Sequence, residues 1–488
     1  MPETPITFIK GDTIGIETDY RDSLPVNMTA IQRPIMGAMG YMLQAPGLTS
    51  ISSFPEDDPC RGAVWNERQE IQYRAWSSDT SGVLREADYI IDINNKPAID
   101  FTIIGSWTGA NADRPISMPY SFESQGIVAV DNFFLWLPAT TTFLTGGVDM
   151  DPLFVGTIDA VWIRGYYFLT DGDTLYHTLL TDETVVEASE STAQLSPDPI
   201  LGLGLTQDDK VIVFGRYTVE YFAVIAREGF TFQNLPNRAF KSGLVATHAK
   251  VEILGDWFYV GGRKAEGIGV HVIQGISPSR VSSREIEKLL GTYSELELAD
   301  MNCESREEDG VSYLIVHLPN QTLQLNLNIL KELGPDNAWS ILSTGTEGDT
   351  WRANFGMFDN TFGEWIYGDN LDGRVGKLDS TVATQYDQIA EWLLYTPIMF
   401  LDSVSIDEIE IEVIPGHTDF DDAKVFMSLN QDGVTGGTEF ILEYGRGFEY
   451  DHRFISRRHG YVRNWVTITM RGASRSRMAF GKGRMKYG

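Results

Sequence analysis

The sequence predicts a mainly β protein: a β-propeller of about seven blades with long rim loops, followed by a C-terminal antiparallel β-sandwich. Three observations carry this. A phrase of small residue, apolar positions, an Asp, Asn or Gly turn and an aromatic-rich run recurs at a spacing of roughly forty to fifty residues, with several short strands per copy. Gly at 47 and Pro at 20, with 42% hydrophobic and 11% aromatic residues, suit many strands joined by tight turns. Beyond about residue 381 the phrase stops and a stricter two-residue alternation takes over.

The chain divides accordingly into a lead-in (residues 1–60), a propeller with loop insertions (61–380) and a sandwich with a basic tail (381–488). The lead-in carries turn signals at Gly11-Asp12, Pro46-Gly47 and Asp57-Asp58-Pro59. The phrase then reads Gly62-Ala63-Val64-Trp65, Gly126-Ile127-Val128-Ala129 before Phe133-Phe134, and Asp159-Ala160-Val161-Trp162 before Tyr166-Tyr167-Phe168. It returns at Gly202-Leu203-Gly204-Leu205 and Gly243-Leu244-Val245, with weaker copies from 301 to 318 and from 352 to 367. Leu323 to Ile329 alternates strictly, which predicts a strand with one buried and one wet face. Residues 104–120, 183–199 and 227–239 read as long rim loops. Ser282 and Glu285 form a capping box ahead of Ile286, Leu289 and Leu290, with Gly291 as the stop, so one connector helix is expected. In the last domain Ile406, Ile409, Ile411 and Val413 alternate with acidic residues, and further strands are expected near Phe426 and Trp465.

At 488 residues the chain is too long for a single ordinary core. No apolar stretch is long enough to cross a bilayer; the most apolar, residues 133–144, is broken by Pro138. Residues 1–10 lack the basic and apolar regions of a secretory signal. Cys60 and Cys303 are expected as buried free thiols in a protein made in a reducing cytoplasm. The net charge is −30, yet residues 452–488 hold no acid and ten Lys or Arg, so the preceding chain carries about −40. Such a body repels nucleic acid. The basic strip allows nucleic-acid binding, docking on an acidic neighbouring subunit, or a charged strand edge that resists aggregation; docking fits the acidic remainder best.

The sequence shows no site chemistry that calls for a cofactor. There is no phosphate loop, dinucleotide fingerprint or nucleophile elbow. His177, His248, His271, His317, His417, His452 and His459 are scattered, which disfavours zinc; His317, in an apolar strand, reads as structural. Asp171-Gly-Asp173 and Asp419 to Asp422 read as solvated turns, since the full calcium-loop spacing is missing. The one catalytic alternative is a propeller glycosidase using carboxylates from Asp131, Asp159, Asp171, Asp173, Asp256, Asp359 and Asp369, with a partial likeness to an Asp-box turn at residues 344–351. No catalytic, cofactor-binding or metal-ligating residue is therefore assigned.

A set of phrases in fixed order completes the reading. These are Tyr20 to Met28 (with Leu24-Pro25-Val26-Asn27-Met28), Gly40-Tyr41 to Pro46-Gly47-Leu48, Arg61-Gly62, Val213-Phe214-Gly215 to Phe222, Ile286 to Leu290, Glu297 to Asp300, Leu314 to Pro319, and Tyr395-Thr396-Pro397. The chain resembles in them the packaged-DNA stabilisation, or tail hub and nozzle, proteins of short-tailed bacteriophages. That resemblance implies a structural virion protein made in the host cytoplasm. It implies a homohexamer beneath the head-to-tail adaptor ring, with tail fibres or tailspikes outside and a plug or needle at the tip. Double-stranded DNA would be retained and then conducted through the lumen without sequence-specific binding. The charge suits that role: a conduit rich in Lys or Arg would hold phosphates, whereas carboxylates repel the polyanion over a Debye length of about 10 Å. A carbohydrate-active or receptor-binding tail protein is the alternative.

Overall fold

The computed structural model describes all residues except 1, 9, 15–19, 34–39, 53–57, 92–95, 111, 192–196, 226–227, 276, 416–422 and 432–436. Seven antiparallel sheets follow one another in chain order and form the propeller. Blade 1 holds Cys60–Asn66, Ile71–Ser77, Ser81–Ile91 and Pro97–Thr108; blade 2 holds Gln125–Ala129, Asn132–Leu137 and Thr142–Thr145. Blade 3 runs Asp159–Ile163, Tyr166–Thr170, Thr174–Thr178, Val186–Ser191, and blade 4 runs Ile200–Leu205, Lys210–Gly215, Val219–Val224, Phe232–Asn234. In blade 5 both Gly243–Leu244 and Lys250–Ile253 pair with Asp256–Gly262, which is followed by Gly269–Gln274 and Ser277–Arg280. Blade 6 contains Asn302–Glu308, Val311–His317, Thr322–Asn326 and Trp339–Thr344. Blade 7 takes Ala353–Asp359, Glu364–Asp369 and Val375–Asp379, and its fourth strand is Gly47–Ser50 from the other end of the propeller sequence.

The core lies between blades. Because side chains alternate along a strand, each middle strand sends one set to each neighbouring sheet, and both sets are buried. Phe133 packs toward blade 3 and Phe134 toward blade 1; Val213 packs toward blade 3 and Phe214 toward blade 5. Trp76 and Phe101 of blade 1 meet Ile366 and Val375 of blade 7, which closes the circle. Middle strands therefore read as continuous apolar runs.

The same logic corrects the reading of residues 323–329. No face is wet: all of Thr322–Asn326 is buried, with Gln324 accepting from Arg306 Nη2 at 2.8 Å. The strand ends at Asn326, whose side chain accepts from Asn328 N and Ile329 N and caps a second helix, α2 (Leu327–Leu333). The expected helix, α1 (Arg284–Leu290), is present between blades 5 and 6, but its cap is Ser283, one residue later than read. Ser283 takes the extended backbone a cap needs, while Ser282 instead donates to Glu287 at 2.9 Å.

The three stretches read as rim loops also differ. Val186–Ser191 and Phe232–Asn234 are the outer strands of blades 3 and 4, and Phe230 and Phe232 are core residues. Residues 112–120 turn inward: Ile116 is buried, and Ser117 and Tyr120 bridge to Val128 and Gln125, filling the innermost place in blade 2. Pro115 and Pro119 limit regular pairing there, which is why the segment reads as a loop.

The second domain is a two-sheet sandwich. One sheet runs Met28–Ile31, Tyr41–Gln44, Ala479–Tyr487, Val404–Val413, Phe454–Val462, with Glu3–Ile6 also pairing Ala479–Tyr487. The other runs Glu391–Tyr395, Trp465–Ala473, Lys424–Asn430, Phe440–Glu443, with Met399–Phe400 beside Trp465–Ala473. Their inner faces share one core that includes Ile6, Met28, Met42, Trp392, Ile409, Met427, Ile468 and Phe480. Residues 1–60, read as a lead-in, thus supply strands to both the sandwich and blade 7.

Candidate functional site

The propeller's bore is bordered by the first strand of most blades, and polar side chains tie those strands across it. Asp159 on blade 3 is 3% exposed and Lys250 on blade 5 is 8% exposed; their charges meet at 2.8 Å. The same carboxylate accepts from Ser117 Oγ at 2.7 Å and from Leu203 N on blade 4 at 2.8 Å. Burial alone would push the Asp159 carboxyl up, but Lys250, His248 and these donors outweigh it and hold it below the usual range. Across the bore, Glu304 on blade 6 sits 3.1 Å from His317 and accepts from Gly356 N on blade 7 at 3.0 Å. The other ring nitrogen of His317, Nδ1, lies 3.4 Å from the Thr322 hydroxyl. The open space on one side of these ties is about 810 Å³ and on the other about 200 Å³, and His248 borders both. That is the scale of a small-molecule cavity.

Of the candidate catalytic carboxylates, Asp159, Asp171, Asp359 and Asp369 are engaged in hydrogen bonds or ion pairs of the fold. Asp359 is buried and accepts from Thr361 N, Phe362 N and the Tyr89 hydroxyl. Asp369 is held by Arg352 Nε at 2.6 Å and Leu371 N at 2.7 Å. Asp171 Oδ1 closes its own turn on Asp173 N and Thr174 N, as expected of a hairpin residue. Asp256 starts a strand after the left-handed pair Leu254-Gly255, and Asp131 lies 3.8 Å from Arg114. Among the described residues no three His, Cys, Asp or Glu groups are placed to hold a metal ion; His417 and Asp419 to Asp422 lie outside those residues. Cys60 is buried and Cys303 half-buried, both free, and burial raises both thiols.

Buried His271 and half-buried His248 make folding acid-sensitive. Burial, then the charge of Lys250, lowers His248 to about 4; burial, then Arg280, lowers His271 to about 4. Below pH 6.5 the unfolded chain binds protons at both rings that the folded chain refuses, so stability falls with pH until about 4. Each ring contributes on the order of 2–3 kcal/mol to this slope. Urea midpoints measured from pH 7 to 4 should fall, and His248→Gln should flatten the fall.

The two domains meet at a short shared strand. Val26 exchanges backbone bonds with Leu393 of the sandwich, while Asn27 N donates to Ile341 O of blade 6 and Ile341 N to Pro25 O. Asn27 is buried with φ 50°, and its Nδ2 donates to Ser343 Oγ, Ser343 O and Glu391 O. The Leu24 to Met28 phrase is therefore the joint itself. Asn27→Ala is expected to cost about 2–4 kcal/mol, from orphaned partners and a strained left-handed backbone; chemical denaturation of the variant measures it. Arg477 adds a second tie, with Nε donating to Gln44 O at 2.7 Å and Nη1 3.3 Å from Glu308.

Much of the basic strip is matched inside the sandwich, a partner that reading the strip alone did not find. Glu408 on the central strand binds Arg457 at 3.0 Å and Lys486 at 2.8 Å; Glu410 binds Arg453 and Arg484; Lys482 is 3.6 Å from Glu412. Arg471 reaches Glu391 and Glu439. The acidic alternation from Ile406 to Val413 was the available signal, since cross-strand neighbours of like spacing attract opposite charge.

The fold and these surfaces define a two-domain β protein, a propeller joined to a sandwich, with buried polar ties between its blades. Comparison places it further. The family described as "Bacteriophage P22 Gp10, beta-propeller" matches residues 3–383, and "Bacteriophage P22 Gp10, beta-sandwich" matches residues 391–488. The chain belongs to the bacteriophage P22 Gp10 family. It is 26% identical over 489 residues to the tail hub protein gp10 of Salmonella phage P22, covering 98% of both chains. A structural role in a phage tail hub follows from that membership. Among solved structures it is similar to the extracellular domain of the one component system BT4673 from B. thetaiotaomicron (TM-score 0.43, 9% identity, 69% of this chain and 40% of that one). It is also similar to virginiamycin B lyase from Staphylococcus aureus (TM-score 0.39, 10% identity, 70% of this chain and 99% of that one). Likenesses this low carry no argument about activity. No helix among the described residues is long and apolar enough to cross a membrane.

Proposed function

We propose that this chain forms the hexameric nozzle of a short phage tail, which retains packaged DNA and conducts it during ejection. The observation that carries the reading is its end-to-end relation to a tail hub protein across both domains. Two physical features support it. Buried ties between blades 3, 4 and 5 and between blades 6 and 7 border each propeller's bore, and on this reading the conduit runs between copies rather than through one. Six chains of −30 would surround that lumen with about −180 of formal charge, which repels DNA and leaves it free to slide. The partners are the adaptor ring on the head side, fibres or spikes outside, a plug or needle at the tip, and DNA held without sequence-specific contact. The site of action is the virion tail, after synthesis in the host cytoplasm. No step of this role needs a catalytic residue or cofactor, and Asp159 and Glu304 on the bore wall are engaged in ties between blades. Electron microscopy of the protein at high concentration, or of virions, should show sixfold rings. A monomer in the virion would defeat the reading.

A further inference from the structure

We propose that the wide end of the propeller bore is a binding site for a small organic ammonium ion, seated among two tryptophans and a carboxylate that the fold leaves without a counter-charge. The site goes beyond the nozzle reading and does not depend on it, since a single propeller contains all of it.

The recess is built by the inner strands. The cavity of about 810 Å³ on the wider side of the Asp159–Lys250 tie takes lining residues from all seven blades. It reaches solvent where Arg164, Asp209 and Glu252 are exposed. Blade 4 makes room in its wall with two glycines. A Cβ at Gly202 would stand 2.8 Å from Lys250 Nζ, and one at Gly204 would stand 2.7 Å from the Trp257 ring. Their absence lets the ammonium and the indole lie close against the strand. Trp257 is then fixed by Nε1 donating to Leu205 O at 2.7 Å. Trp162, also in the wall, is met edge-on by Phe122, with 5.0 Å between ring centroids. Both indoles are half-buried and in place before any ligand arrives, so binding loses little side-chain freedom.

The charges select the ligand. Four carboxylates line the cavity (Asp159, Asp209, Glu252 and Glu304) against two cations, Arg164 and Lys250. Burial, then Lys250, lowers His248 to about 4, so that ring adds no charge at neutral pH. Asp159 pairs with Lys250, Asp209 with Arg164 at 2.8 Å, and Glu304 stands beside His317. Glu252 is left over. Partial burial alone shifts its carboxyl, upward, and no cation or donor offsets it. It pairs across the strands with Trp257, so the carboxylate and the indole share a face. A carboxylate beside aromatic rings in a recess attracts an ammonium ion, which the ring quadrupole also favours, and it repels carboxylate and phosphate ligands. A bare metal ion fits less well: among the described residues no three His, Cys, Asp or Glu groups are placed to hold one.

Isothermal titration of the full-length protein with choline, and with its uncharged isostere dimethylbutanol, in which carbon replaces the charged nitrogen, is the test. One choline per chain, bound about tenfold or more tightly than the isostere, is the expected result. Glu252→Gln should lose about tenfold in choline affinity while keeping the urea midpoint of the parent, because Glu252 ties nothing together. Glu252→Lys should abolish binding by placing a tethered ammonium in the recess. Equal affinity for choline and the isostere would make the recess an apolar one and overturn the proposal. So would the absence of choline binding to the parent, or unaltered binding by both Glu252 variants. None of these results bears on the ring, which a sixfold assembly in the virion tests separately.

Discussion

Deleting residues 1–50 should abolish cooperative folding of the whole chain rather than trim a flexible start. The segment supplies the closing strand of blade 7 and three strands of one sandwich sheet. It buries Ile6, Phe8, Met28, Met42 and Leu48, each at 4% exposure or less. At about 1.5–3 kcal/mol per buried side chain, the loss is roughly 8–15 kcal/mol, an upper figure because unfolded chains already bury some surface. That equals the total stability of ordinary domains, about 5–15 kcal/mol. Near-ultraviolet circular dichroism and a thermal melt of the truncated chain measure it. A cooperative transition within a few degrees of the full chain would show that neither domain depends on the segment.

The second large effect is expected at the bore. Lys250→Met leaves the Asp159 carboxylate buried without its cation, which costs about 3–5 kcal/mol in comparable buried pairs. Asp159 also holds Ser117 and Leu203, so the loss should loosen blades 2, 3 and 4 together. Adding Asp159→Asn should return a good part of the stability, because a neutral amide keeps an acceptor for those donors and removes the stranded charge. Urea denaturation of the single and double variants is the measurement. Equal stability of Lys250→Met and the parent would mean the pair holds nothing together.

How much of this was legible in the sequence depends on how far apart the partners lie along the chain. The recurring phrase marks the inner and middle strands of the blades because local alternation and local turns build each hairpin; Asp159–Ile163 followed by Tyr166–Thr170 is a direct example. The outer strands were missed where they are short and polar, as at Val186–Ser191 and Phe232–Asn234. Gly47–Ser50 could not be assigned to blade 7 from its own residues, since its partner Val375–Asp379 is more than three hundred residues away. Strict alternation at residues 323–329 misled because a blade buries both faces, so polar Gln324 and Asn326 point to partners rather than water. At the functional level the charge imbalance was visible at once. Its pairing within the sandwich required knowing that Glu408 and Glu410 lie between two basic strands.

The most direct test of the account is a cryo-electron microscopy map of the tail with its DNA in place. Six copies should surround one axial duplex, with carboxylates facing it and every propeller bore empty of nucleic acid. A duplex gripped along its length by arginines, or a wall that is neutral or basic, would contradict the account.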